Sequence, residues 1–198
     1  LGGWTSLQAH HSGSAYATTP LWISGTVVSY EASNPHTFTN LESRDDDGTV
    51  RRWRVEGPPQ SRLNGVPADF HIPQAGEVMG FCAFPYKSLE ELQALWPEVD
   101  YSGSFWSTTA DGSSPQTVTG HIMVKPDGDI QHWEPHGIMA ECIRSSDRPV
   151  QEWLGFLNAR PQVRQAFCMQ NSYQVVRSDE SLREFVENFA ARLERPCD

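Results

Sequence analysis

The chain has 198 residues, enough for one domain with a real core, or one domain plus an appendage. Apolar residues make up 38% and the mean hydropathy is −0.51, and no apolar run approaches the roughly 20 residues of a membrane-crossing helix. With a net charge of −10 and a pI of about 5.1, its surface repels phosphate backbones, which argues against nucleic acid as a partner.

In chain order, Leu7-Gln8-Ala9 resembles the small-residue end of a bacterial signal peptide, and cleavage after Ala9 would start the mature chain at His10. Residues 21–31 read as a strand rich in good strand formers, with Gly25 marking a bulge or a close approach. Asn34-Pro35 breaks it, because proline lacks a donor and restricts its predecessor. A second strand is expected over 37–43. The turn Asp45-Asp46-Asp47-Gly48 leads to a third over 49–56, with Trp53 and Val55 on one face. Its basic run Arg51-Arg52-Trp53-Arg54 lies opposite the acidic turn and reads as a solvated cross-strand charge face.

Residues 58–75 are irregular, and 76–84 form a fourth strand. Ser88-Leu89-Glu90-Glu91 is a capping box that opens a short helix ending near Trp96. Residues 97–116 form a long loop, of a length that usually serves function. A hairpin follows, 117–125 against 129–133, around Pro126-Asp127-Gly128. Beyond residue 136 the apolar period changes from two to 3.6. A helix is expected over 149–160, with Val150, Trp153, Leu154 and Leu157 on one face. A short one follows over 161–169. A third, capped by Ser178, carries the stripe Leu182, Phe185, Val186, Phe189 and Leu193, expected to dock on the rest of the chain.

These elements predict a mainly β fold: a small OB-like barrel, or a two-sheet sandwich, over residues 10–136 with an insertion at 85–116. A helical appendage occupies 137–198. The four cysteines, Cys82, Cys142, Cys168 and Cys197, form no CxxC pair, which excludes a zinc ribbon or a thioredoxin-type motif. Their even number suits two disulfides in an oxidising compartment. Cys168–Cys197 is the favoured bridge, because these residues flank the last helix.

Several short motifs recur in a familiar order: His10-His11-Ser12, Gly25-Thr26-Val27, Asn34-Pro35-His36, Trp53 with Val55-Glu56-Gly57, Ala75-Gly76-Glu77-Val78 and Lys125-Pro126-Asp127-Gly128. Over residues 9–133 the chain resembles the bacterial exported family known as domain of unknown function 6152. That resemblance implies an exported, β-rich domain whose mature part begins at the double histidine, and implies no activity. The segment 85–116 and the tail after 136 exceed the family pattern.

Imidazole is the commonest protein metal ligand. His10, His11 and His36 are therefore candidate ligands for copper or zinc, and an oxidising compartment favours Cu2+. In an extended segment His10 and His11 point to opposite faces. The alternative for His36 is structural, capping the turn after Pro35 through the backbone. A second group is His121, His132 and His136. Pro135 prevents a helical zinc motif there. If Val124 pairs with Ile130, His132 opposes Ile122 and the rings of His121 and His132 face opposite sides. No Gly-x-Ser-x-Gly elbow is present. Trp96, Tyr101, Phe105 and Trp106 in or beside the long loop are candidate ligand or partner contacts.

The expected function is that of an exported, periplasmic or secreted, non-catalytic binding or accessory protein. It would meet another periplasmic protein through 97–116 or the C-terminal helices. Two rivals are a metal-handling protein using His10, His11 and His36, and an enzyme with its site at the barrel mouth near 97–116.

Overall fold

The computed structural model describes residues 15–67, 69–98, 115–133 and 138–197. Six strands carry the first two thirds of the chain: β1 (Leu21–Glu31), β2 (Thr37–Arg44), β3 (Val50–Gly57), β4 (Val78–Pro85), β5 (Gln116–Val124) and β6 (Ile130–His132). β1 pairs with both β2 and β4, β3 pairs with β2 and, in parallel, with β5, and β4 pairs with β5. The ring β1-β2-β3-β5-β4 is therefore closed, which removes free edges, and β6 adds a short strand beside β5. This is the OB-like barrel expected from the sequence rather than the sandwich.

The long β1 closes the ring because its first half faces β4 and its second half β2. Two features let it bend. The register slips between Val27 and Ser29, and a Cβ on Gly25 would lie 2.4 Å from the Glu42 carbonyl oxygen, so only glycine fits there. Strand alternation then sorts the side chains. Inward-facing Val27, Leu41, Trp53, Val55, Phe81 and Met123 fill the barrel with Trp133. A strap formed by residues 69–77 crosses it. Phe70 stacks on Trp133 at 5.8 Å, and the Gln131 amide brackets the His71 backbone at 2.7 and 2.9 Å.

Outward-facing Cys82, Phe84, Ile122 and Ile130 pack against the helices. These include α3 (Met139–Arg144), α4 (Val150–Asn158), α5 (Pro161–Cys168), α6 (Gln174–Ser178) and α7 (Glu180–Ala190). Trp153, Leu154 and Leu157 of α4 and Leu182, Val186 and Phe189 of α7 are buried in that layer, so the expected stripes do dock on the barrel. Val150 departs from its stripe and stays 39% exposed. Two disulfides, Cys82–Cys142 and Cys168–Cys197, join barrel to helices and hold the chain end; the second is the favoured bridge.

Earlier in the chain, α1 (Gln60–Leu63) lies within the irregular stretch and α2 (Leu89–Leu95) carries the expected capping box of Ser88 and Glu91. One cap shifts by a residue. Ser178 ends α6, its hydroxyl donating to the Val175 carbonyl, while Asp179 accepts from the Leu182 amide and opens α7. The basic run behaves as a charge face: Arg51 meets Asp45 at 2.6 Å, Arg52 meets Glu42 at 3.1 Å and Arg54 meets Glu31 at 2.8 Å. Such exposed pairs contribute little individually.

Candidate functional site

Alternation along β3 turns Trp53 and Val55 inward and leaves Glu56 pointing out of the barrel. On most of the outer face a carboxylate would meet water. Here Glu56 sits between Phe38 of β2 and Thr119 of β5 and is only 2% exposed. The segment before β1 covers it. Tyr16 bridges to Tyr86 in strand fashion, with the Ala17 amide donating to the Pro85 carbonyl at 2.8 Å and the Lys87 amide to the Ala15 carbonyl at 2.9 Å.

A buried carboxylate persists only when its lone pairs are engaged. Glu56 Oε1 lies 2.8 Å from His36 Nδ1, while Oε2 accepts from the Tyr86 hydroxyl at 2.8 Å and from the Tyr16 hydroxyl at 3.4 Å. The two phenolic oxygens are 3.2 Å apart and their rings 4.6 Å. Burial first, and the Glu56 charge second, hold both phenols well above the usual tyrosine range, so they remain protonated donors at physiological pH. Glu56 thus acts as an orienting group. By accepting from the Nδ1–H of His36 at 2.8 Å it fixes the orientation of the imidazole.

The centre draws on four stretches of chain: the turn before β2, the end of β3, the end of β4 and the segment before β1. The connection from β4 to β5 leaves and re-enters at the same end of the barrel.

The sequence-predicted residues divide accordingly. His36 is at the centre, but its main partner is the Glu56 carboxylate; the Gly57 carbonyl is more distant, at 3.4 Å. His10 and His11 lie outside the described residues, as do Tyr101, Phe105, Trp106 and His136. Trp96 is half-buried at the end of α2, where its amide donates to the Leu92 carbonyl. Tyr16 and Tyr86 do not stand out in the sequence, and Glu56 appears there only inside the motif Val55-Glu56-Gly57. The signal for Glu56 is slight: a carboxylate just before Gly57-Pro58, next in line after the inward Trp53 and Val55. Among the described residues no group of three His, Cys, Asp or Glu side chains is arranged to hold a metal.

The second histidine group needs a correction. The hairpin has the expected register, with Val124 opposite Ile130 and Ile122 opposite His132. However, Cys82 faces Ile122 while Ala83 faces Gly120, so His121 is an extra, bulged residue. The bulge turns its ring onto Phe84, 4.5 Å away, on the same outer side as Ile122 and its partner His132. The two rings therefore share a face. His121 is 8% exposed and also bonds to the Ile138 backbone at the start of α3.

Burial, and then the charge of His132, lower the His121 pKa from 6.5 to about 3, against the opposing pull of the Ile138 carbonyl. The folded state holds this ring neutral, whereas the unfolded chain takes a proton below pH 6.5. Stability from this residue is complete above pH 6.5 and is lost as pH falls toward 3. Between pH 7 and pH 4, wild type should lose roughly 3 kcal/mol more than His121→Phe, read from urea midpoints at each pH. Parallel losses would show that His121 does not set the acid sensitivity.

No curated protein and no solved structure matches the chain. Residues 3–66, 64 of the 198, match the model described as "Family of unknown function (DUF6152)". The motifs at 75–78 and 125–128 fall outside the matched stretch; Gly76 and Gly128 there adopt φ of +90° and +85°, the left-handed turn conformation that favours glycine. The N-terminal third, carrying Tyr16, His36 and Glu56, thus matches the same unknown-function family that the histidine and glycine motifs resemble.

Proposed function

We propose that this chain is an exported, periplasmic, non-catalytic binding or accessory protein whose recognition surface lies at the barrel end where His36, Tyr86 and the β4–β5 connection meet. The observation that carries this reading is the convergence on Glu56. Four separate stretches of chain are locked together at Tyr86, where the chain leaves β4 for the long connection. In OB barrels the loops between strands 1 and 2 and between strands 4 and 5 are common binding elements. The helices are the weaker candidate surface, because the apolar stripes of α4 and α7 are covered within the chain.

Export is supported by the pairing of all four cysteines, since disulfides persist in oxidising compartments. A binding rather than catalytic role is supported by Glu56, whose two oxygens are engaged in holding neighbours.

The test replaces residues 99–114 with a short Gly-Ser linker and expresses the variant in the periplasm. Cross-linking before purification and a thermal melt are then compared with wild type. The expected result is an unchanged melt and loss of the cross-linked partner. An unfolded variant, or a partner recovered in full, would overturn the reading.

A further inference from the structure

The bulge in β5 aims an imidazole into the seam between the barrel and the helices, where an apolar side chain would pack more comfortably. His121 is buried against the Phe84 ring and bonded to the start of α3. Its buried Nδ1 meets no hydrogen-bonding partner among the described residues, so the bond to the Ile138 carbonyl comes from Nε2. A buried polar atom left in this way costs stability, and a phenyl ring in its place would avoid that cost. Buried atoms of this kind call for an explanation in function or switching.

The element that His121 holds is slight. α3 has six residues, and its N-cap, Ile138, supplies no side-chain cap. Segments with few local bonds open at low free energy while the rest of the fold stays closed. α3 is also tethered. Its Cys142 is joined to Cys82 of β4, which pairs with Ile122, the residue next to His121. Release of the first turn of α3 therefore leaves the helical layer attached to the barrel.

The titratable and charged groups on the neighbouring elements are few. They are His132 on β6, Glu141 and Arg144 on α3, Glu56 on β3, and Tyr16 and Tyr86 in the segments that cover Glu56. Among the described residues, His132 is the one whose charge acts on His121. Glu141 is taken by Arg144 at 3.1 Å, and Glu56 by His36 and the two phenols.

We propose that His121 is an acid-operated latch between the barrel and the helical layer: a proton on Nδ1 releases the start of α3 from β5 and opens the apolar seam beneath it, while the Cys82–Cys142 bridge keeps the layer attached. A protonated imidazole needs an acceptor or water at both nitrogens, and the described residues of the closed junction provide neither at Nδ1. It also meets a like charge whenever His132 is protonated. Opening wets the ring and exposes Phe84, Ile122 and Met139 of the seam. This inference does not rest on the partner surface proposed above.

Burial keeps the ring neutral in the closed form, whereas the open form takes a proton below pH 6.5. The open form therefore gains about tenfold per pH unit as pH falls from 6.5 toward 3. Hydrogen exchange of the full chain, corrected for the intrinsic pH dependence of exchange and followed by mass spectrometry, reads this directly. In wild type the opening constant of the α3 amides should rise about 100-fold between pH 6.5 and pH 4.5. At pH 4.5 these amides should exchange ahead of those in β2 and β3. In His121→Phe the opening constant should stay flat over the same range. Should that variant fail to fold at pH 7, His121→Gln, which also lacks a titrating nitrogen, takes its place with the same expectation. Equal opening constants in α3 and in β2 and β3 would mark global unfolding and overturn the proposal. So would a rise that persists in the variants, or the absence of a rise in wild type.

Discussion

Glu56→Ala is expected to destabilise the protein by about 3–5 kcal/mol, since each buried donor left without its acceptor costs about 1–3 kcal/mol. Three groups lose their acceptor at once: His36 Nδ1 and the hydroxyls of Tyr86 and Tyr16. The half-buried phenols have restricted access to water in its place, because the segment 15–17 and β5 close over them. Glu56→Gln should cost less, roughly 1–3 kcal/mol, since an amide oxygen still accepts from the phenols but the amide nitrogen cannot accept from His36. Urea denaturation measures both. A spectroscopic readout distinguishes loss of the charge from simple loss of packing. The Glu56 charge is the second cause, after burial, of the raised tyrosine titrations, so in the folded Gln variant the phenols should ionise at lower pH while staying above the ordinary tyrosine value of 10.0. Absorbance at the phenolate band follows this. A loss below about 1 kcal/mol for the alanine variant would mean that water replaces the carboxylate and that the network is not tightly built.

The Cys82→Ala/Cys142→Ala variant is expected to lose about 4 kcal/mol by the loop-entropy relation, because the bridge spans 60 residues of sequence. Cys82 stands on the outer face of β4 and Cys142 in α3, so this link ties the barrel to the helical layer. The Cys168–Cys197 bridge spans 29 residues, for which the same relation gives about 3.5 kcal/mol. Removing the first should therefore lower stability somewhat more than removing the second, and separation of helices from barrel should appear as a broader unfolding transition. Equal midpoints for wild type and the Cys82/Cys142 variant would show that the apolar contacts of Trp153, Leu157 and Val186 with the barrel suffice alone.

The parts of the fold legible in the sequence are those set by short-range rules. The run 21–31 is the observed β1, the Ser88 capping box opens α2, and the turn at Pro126-Asp127-Gly128 fixes the register of Val124 with Ile130. The α7 stripe is readable because its spacing repeats over three turns. By contrast, α1 and α3 have four and six residues, too few for an apolar period to show. The bulge at His121 is invisible in the sequence because it depends on how β4 registers with β5.

The candidate site is half legible. Asn34-Pro35-His36 marks the histidine that lies beside Glu56, because a proline turn with an imidazole is locally distinctive. Glu56 is hidden because its burial depends on two long-range events, the parallel pairing of β3 with β5 and the bridge from Tyr16 to Tyr86. Neither leaves a periodic trace. Twenty-five acidic residues then offer no way to choose one by spacing. The aromatic group is legible only in composition: Trp96 is half-buried beside α2, while Tyr101, Phe105 and Trp106 lie outside the described residues.

The orientation of His36 by Glu56 through Nδ1 is the centre of this reading of the site. Two-bond nitrogen–proton correlation spectra of the histidine rings test it most directly, recorded on labelled protein across a pH titration. His36 Nδ1 is expected to carry a proton throughout, donated to Glu56. A His36 ring with a bare Nδ1 and a protonated Nε2 would contradict it.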